Sequence, residues 1–336
     1  MIAVAALAAL SLSRAWAASL FVTDLRKAES RKEPDERVEW YTRAIQAFDA
    51  SEDRMLLAQC HFGRGQARVE LWQFAQAEPD LTKALDLDAA NNRSYLLRGR
   101  ARLELGQNAA AARDLAQYVG LQPDDEEGYL YLSRAQLKLS RDRQALDTCL
   151  KAEKLDDADG RAWLCEGRAR MARRDWEGAL GALATAQKRQ PPRLPDAAAE
   201  SAVCQVALGR HERALAEYDK ALPDFETELA DLCARGAPPP QLQARQQDAA
   251  RAYFGRGRVR EFLTQRAGAL ADYDRACALG HAPACARAEA LRPESAKARP
   301  APPAAAPAVE PPPSKPAKRK RSRAPSSDPG ERIYGS

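Results

Sequence analysis

The sequence predicts an all-α fold, built as a solenoid of stacked antiparallel helix pairs. Three observations carry this. Small residues recur at a fixed interval: Gly65, Gly99, Ser133 and Gly167 stand 34 positions apart, and a period in that range marks stacked repeats. The stretch from Asn92 to Asp125 reads as two amphipathic helices, turned at Gly106 and closed by Pro123. The composition is helix-forming, with only 6% aromatic residues and heavy use of Ala, Leu, Arg, Asp and Glu.

Residues 1–17, MIAVAALAALSLSRAWA, hold an apolar run from Ile2 to Leu12 and end in the small-x-small pattern Ala15-Trp16-Ala17. That is the form of a secretory signal peptide. No Lys or Arg precedes the run, and the alternative is a first solenoid helix. Arg14 interrupts a run already short for a membrane span, and no Cys follows the cleavage pattern. Export to a bacterial periplasm or cell envelope is therefore expected, with a cytoplasmic chain as the alternative.

A degenerate first unit is expected over 18–49, with helices near 19–29 and 35–48, followed by a short insertion over 50–57. Units then abut at 58–91, 92–125, 126–159 and 160–193. After a one-residue slip at Leu194 comes 195–228, and the last full unit is 250–283. Each second helix carries an alanine in register: Ala77, Ala111, Ala145, Ala179, Ala214 and Ala269. Each first helix carries a small residue: Gly65, Gly99, Ser133, Gly167, Ala202 and Gly257. Such residues let paired helices approach, with the alanines as the matching flat spots. Four positions earlier stand His61, Tyr95, Tyr129, Trp163, Ala198 and Tyr253, mostly aromatics that fill space between pairs. The period breaks over 223–248. Pro223 is expected at a helix start, 236–240 as a loop, and a new helix from Gln241. This inserted helical segment either pads the solenoid or offers a partner contact.

The period, the small/aromatic pairing and the closing prolines Pro123 and Pro191 resemble the tetratricopeptide repeat family over 18–291. The resemblance implies a right-handed superhelical solenoid. Two departures stand out. Before the glycine slot the family has a large apolar residue, which only Leu132 matches; Arg64, Arg98, Glu166 and Arg256 stand there instead. Where the family has a tyrosine three residues after that slot, this chain has Arg68, Arg102, Arg170 and Arg260. This is similar to the family's R-G-x-A variant, seen in Arg98-Gly99-Arg100-Ala101. Arg64, Arg98 and Arg256 each come with an Asp in the partner helix, so ion pairs Arg64–Asp80, Arg98–Asp114 and Arg256–Asp272 are expected. Two units lack both partners, having Leu132 with Thr148 and Glu166 with Ala182.

The chain has seven cysteines, none in a C-x-x-C pair and none beside His at metal-ligand spacing. No metal is expected. Most cysteines read as small hydrophobes, and the odd count argues against a full disulfide framework. The end of the last repeat, Ala276–Leu291, resembles the cysteine-bearing Sel1-like units, which implies a Cys277–Cys285 bridge if the chain is exported. Ala284–Leu291 would cap the solenoid.

From Arg292 the composition changes. Residues 292–336 hold 11 of the 22 prolines and 10 Lys/Arg against 4 Asp/Glu, so the +5 net charge resides there and the body is nearly neutral. Such a tail cannot build a core and is expected to be disordered. Its basic cluster, Lys315, Lys318, Arg319, Lys320, Arg321 and Arg323, is either a solubilising tail or a binder of an anionic polymer or membrane surface.

No catalytic constellation emerges. His61, His211 and His281 lie in different units without a convincing partner. The pairs Gly63/Gly65 and Gly255/Gly257 lie inside predicted helices rather than in a phosphate-binding loop. The expectation is a non-catalytic protein with no cofactor and no small-molecule substrate. The family resemblance implies a concave groove lined by first helices that holds an extended protein or peptide partner. Its slots here carry Arg93, Arg100, Arg134, Arg161, Arg168 and Arg258 (Arg251 falls in the same register), over Phe62, Leu96, Leu130, Leu164 and Phe254. An arginine ladder over an apolar floor suits an extended acidic segment. Alternatively Glu70, Glu104 and Glu127 neutralise the ladder internally. The Lys and Asn of the family's chaperone-binding clamp are missing from these slots. A scaffold or adaptor is thus expected, the alternatives being an anionic-polymer or envelope-surface binder acting through the tail and a cytosolic adaptor.

Overall fold

A computed structural model describes residues 20–49, 53–189 and 194–292. The signal-peptide reading of 1–17 and the basic-tail reading of Lys315–Arg323 lie outside the described residues. A first helix, α1, is described over 20–30. It pairs with α2 (Pro34–Ala47). The next pairs are α3 (Arg54–Glu70) with α4 (Phe74–Leu87), α5 (Asn92–Glu104) with α6 (Asn108–Leu121), and α7 (Glu126–Lys138) with α8 (Asp142–Leu155). Then come α9 (Gly160–Ala172) with α10 (Trp176–Arg189), α11 (Pro195–Ala207) with α12 (His211–Ala234), and α13 (Pro239–Phe262) with α14 (Arg266–Ala278). A final helix, α15 (Ala282–Leu291), packs on α14. No strand occurs among the described residues.

The helix boundaries follow from local chemistry. Asn91, Asp125 and Asp159, 34 positions apart, cap α5, α7 and α9 by accepting from the backbone N–H of Ser94, Glu127 and Arg161. Each such cap stabilises by about 1 kcal/mol. Within each pair from α3–α4 onward the chain reverses through a left-handed residue. Trp72, Gly106, Ser140 and Arg174 hold this place at the same interval, followed by Gly209 and Thr264. Only the glycines adopt that conformation without a Cβ penalty.

The packing refines the small-residue reading. A Cβ added to Gly99 would lie 2.6 Å from Leu115 Cγ, one at Gly167 2.6 Å from Leu183 Cδ2, and one at Gly257 2.7 Å from Tyr273 Cε1. The group facing the small residue is therefore the large side chain one turn beyond the register alanine, not the alanine. The alanines are fully buried nevertheless. Gly63 and Gly255 meet Tyr41 and Tyr218 of the preceding pair, which makes them packing residues between pairs.

Pro223 lies inside α12 rather than at a helix start. Its ring is exposed, so the lost backbone bond falls on the solvent side. Leu222, Phe225, Leu229 and Leu232 form a buried stripe that carries the helix through. Likewise α13 begins at Pro239, not Gln241. Residues 223–248 thus lengthen two neighbouring helices to 24 residues each. Arg245 ties them together. It bonds Asp196 at 2.8 Å, pairs with Glu228 and Asp248, and lies 4.5 Å from the Phe225 ring centre.

Candidate partner-binding groove

Odd-numbered helices contact one another along the stack: α3 with α5, α5 with α7, α7 with α9, α9 with α11 and α11 with α13. They form one continuous face. A cleft of about 330 Å³ opens on it between α7 and α9. Leu130 and Arg134 from α7 line it together with Arg161, Leu164 and Arg168 from α9. Five of the sequence-selected groove residues therefore meet in one place. Tyr131, Leu137, Cys165 and Asp196 complete much of the wall. A second depression, about 640 Å³, shares Arg134 and Arg168 and extends the trough to Arg251 on α13.

The other selected residues lie elsewhere. Leu96 is 1% exposed, inside the α5–α6 core, and offers no surface. Phe62 packs, partly buried, against the cluster that contains Phe74, Leu81 and Leu97. Phe254 stacks on Tyr273 and His281 and lines a separate cleft with Arg258. The Arg100 guanidinium stands 5.8 Å from the ring centre of Tyr131. Arg93 approaches Glu127 at 3.8 Å.

The arginines of the cleft have acidic neighbours. Arg134 donates to Glu104 at 2.8 Å, Arg161 to Asp159 at 2.6 Å and Arg168 to Glu200 at 2.7 Å. Their side chains remain 47%, 54% and 43% exposed. Their carboxylate partners are more covered, Glu104 and Glu200 at 23% and 21% exposed and Asp159 at 7%. Among the described residues no carboxylate lies within ion-pair distance of Arg100 or Arg258.

Behind the groove the expected ion-pair positions form buried forks. Asp80, Asp114 and Asp272 receive Arg64, Arg98 and Arg256 at 2.6, 2.8 and 2.7 Å. Each carboxylate also takes a second guanidinium that the sequence reading treated only as a departure from tyrosine: Arg68, Arg102 or Arg260. The signal was available, since each lies one helical turn beyond the first arginine on the same face. Burial alone would raise the Asp80 carboxyl, but hydrogen bonds from His61 and Arg64, with the charges of Arg64 and Arg68, hold it below the usual range. The forks also reach the preceding pair: Arg64 to Thr42, Arg98 to Thr82, Arg102 to Glu78 and Arg256 to Asp219.

Four of the seven cysteines are bonded. Cys277–Cys285 joins α14 to α15, and Cys149–Cys165 joins α8 to α9, with Cα atoms 5.5 Å apart in the second. Cys149 and Cys165 are therefore not simply small hydrophobes. No group of His, Cys, Asp and Glu able to hold a metal occurs among the described residues, and no described helix is long and apolar enough to cross a membrane.

The family model for tetratricopeptide repeats matches residues 62–126, 96–160 and 165–228. The chain is a tetratricopeptide repeat protein. A tetratricopeptide repeat protein from Parabacteroides merdae is similar in fold, with a TM-score of 0.62 and 15% identity over 81% of this chain and 99% of that one. A thermophilic TPR protein of Thermus thermophilus is 24% identical over 53% of this chain and 96% of its own, with a TM-score of 0.45. YrrB, described as a TPR protein with an unusual peptide-binding site, is 21% identical over 55% of this chain and 92% of its own, with a TM-score of 0.43. No curated protein matches the sequence. The family matches stop at residue 228, before the α14–α15 cysteine pair. Tetratricopeptide repeat proteins are typically non-catalytic scaffolds that bind protein or peptide partners.

Proposed function

We propose that this tetratricopeptide repeat protein is a scaffold or adaptor that holds an extended partner segment in the α7–α9 cleft, and that the segment alternates apolar side chains with carboxylates. One observation carries this reading: Arg134, Arg161 and Arg168 converge with Leu130 and Leu164 on a single cleft. The leucines supply buried apolar area and the guanidiniums can grip carboxylates bidentately. Glu127 and Asp196 on the same wall favour a partner of mixed rather than purely negative charge. Export is part of the reading. Two disulfides support it, because such bonds persist in oxidising compartments.

Fluorescence anisotropy with labelled extended peptides tests the function. A Glu/Leu-alternating peptide should bind the wild type more tightly than its Lys/Leu counterpart, in a salt-sensitive way. Arg134→Glu/Arg161→Glu/Arg168→Glu should reverse that preference while circular dichroism stays helical. Equal binding of both peptides by both proteins would refute the reading. N-terminal sequencing of the protein recovered from separated cell fractions tests export.

A further inference from the structure

The joint between the α7–α8 and α9–α10 pairs differs from three others along the stack. At three other joints a first-helix arginine reaches back to the preceding second helix, as Arg64 does to Thr42, Arg98 to Thr82 and Arg256 to Asp219. The corresponding slot on α9 holds Glu166, which is buried and meets the carboxyl of Glu153 on α8. Arg170, from α9, is the cation facing this pair; it holds Glu166 and Asp175. Glu153 Oε1 is buried without a hydrogen-bond donor.

A second carboxyl pair lies at the beginning of α9. Glu126, opening α7, faces Asp159, the α9 cap, with Asp125, Asp156 and Arg161 around it. Glu126 Oε1 too is buried without a donor. In each pair a half-buried carboxyl (Glu153 or Glu126) faces a buried one (Glu166 or Asp159), and two such carboxylates repel unless one holds a proton. The same joint carries the Cys149–Cys165 disulfide, and Cys165 lines the cleft, where its sulfur lies 2.8 Å from Ser133 Oγ.

We propose that this joint is a two-key latch: the Cys149–Cys165 bond and the protons on Glu153, facing Glu166, and on Glu126, facing Asp159, each hold α9 against α7 and α8, and losing both opens the α7–α9 cleft. A dithiol reductant supplies two electrons and two protons, becoming a disulfide itself, and leaves Cys149 and Cys165 as thiols. Burial first, and then the facing carboxylates, raise Glu153 to about 8 and Glu126 to about 7. The protons are therefore held in mildly acid solution and lost in mildly alkaline solution. With the disulfide intact, repulsion is borne by the covalent bond. With it reduced, repulsion separates the helices. The consequence for binding rests on the groove reading, but the latch itself does not.

Hydrogen–deuterium exchange on the full chain at pH 6 and pH 9, corrected for intrinsic rates, tests it. The oxidised wild type should show equal protection across α8 and α9 at both pH values. Cys149→Ala/Cys165→Ala should lose about tenfold in protection there at pH 9 only, and adding Glu153→Gln/Glu126→Gln should restore it. If the cysteine variant folds poorly, Cys277→Ala/Cys285→Ala treated with dithiothreitol leaves the latch as the bond being cut. Protection independent of pH in the reduced protein, or loosening spread evenly over every joint, would overturn the proposal. Either outcome is read without any ligand, so it does not bear on the peptide-binding test.

Discussion

Removing the carboxylate of one buried fork should cost far more than removing an exposed ion pair. Asp114 is the sharpest case. Its carboxylate accepts from Arg98 Nε at 2.9 Å, Arg98 Nη2 at 2.8 Å and Arg102 Nη1 at 2.8 Å. The two arginine side chains are only 13% and 17% exposed. In Asp114→Ala both guanidiniums lose their main counter-charge in a place that water reaches poorly. Breaking a buried pair from one side costs about 3–5 kcal/mol. Arg102 keeps Glu78 at 2.6 Å and Arg98 keeps Thr82 at 3.2 Å, which moves the expected cost to the lower end, about 3 kcal/mol. Asp114→Asn retains the shape without the charge and should fall between this variant and the wild type. The control is Glu39→Ala, which removes the exposed Arg43–Glu39 pair and should cost no more than about 0.5 kcal/mol. Urea titration followed by circular dichroism reads the loss. Exchange protection of α5 and α6 locates it, since a solenoid can unfold in parts. If Asp114→Ala costs no more than Glu39→Ala, the forks are not structural pins and the reasoning fails.

Four further substitutions can be checked by thermal melts. Gly99→Ala should destabilise by about 1–3 kcal/mol through its clash with Leu115, whereas Gly181→Ala in α10, with nothing within 4 Å of the added Cβ, should stabilise by roughly 0.5–1 kcal/mol. Arg174→Gly should stabilise by about 1 kcal/mol, because Arg174 occupies the left-handed turn position at φ 61 that Gly106 and Gly209 hold without strain. Glu126 is raised to about 7 by burial first and then by Asp159, so the folded state holds its proton more tightly than the unfolded chain. Its contribution to stability is complete below the ordinary carboxyl range and is lost as pH rises through about 7. In the Cys149→Ala/Cys165→Ala background, where no covalent bond bears the repulsion, adding Glu126→Gln should therefore gain stability between pH 5 and pH 8.5, by on the order of 1 kcal/mol after solvent screening; thermal melts at those two pH values that shift in parallel would contradict it.

The repeat architecture was legible because it rests on local size constraints: a residue that must be small where two helices touch shows itself in any single copy and again 34 positions later. The groove was legible only in part. Register placed Arg134, Arg161 and Arg168 on one face, where they line a common cleft, but it also chose Leu96, since alternation along a helix does not say how far a side chain sinks beneath its neighbours. Pro223 misled because propensity at one position lost to a buried stripe of four apolar residues.

The cysteine bridge between α8 and α9 was hidden for a different reason, and geometry shows where its signal lay. In an antiparallel pair joined by a short turn, residues equally distant from the turn face each other. Arg98 and Asp114 are each eight positions from Gly106; Arg64 and Asp80 are each eight from Trp72; Arg256 and Asp272 are each eight from Thr264. Cys149 and Cys165 obey the same rule about Asp157, which lies in the turn joining one pair to the next. A search confined to short metal-type spacings passes over that separation. Mirror positions about each turn connect the forks and the disulfide by one relation. Cys277 and Cys285, each four positions from His281 in the last turn, obey it as well at half the distance, so both covalent bridges lie where turn geometry alone brings two helices together.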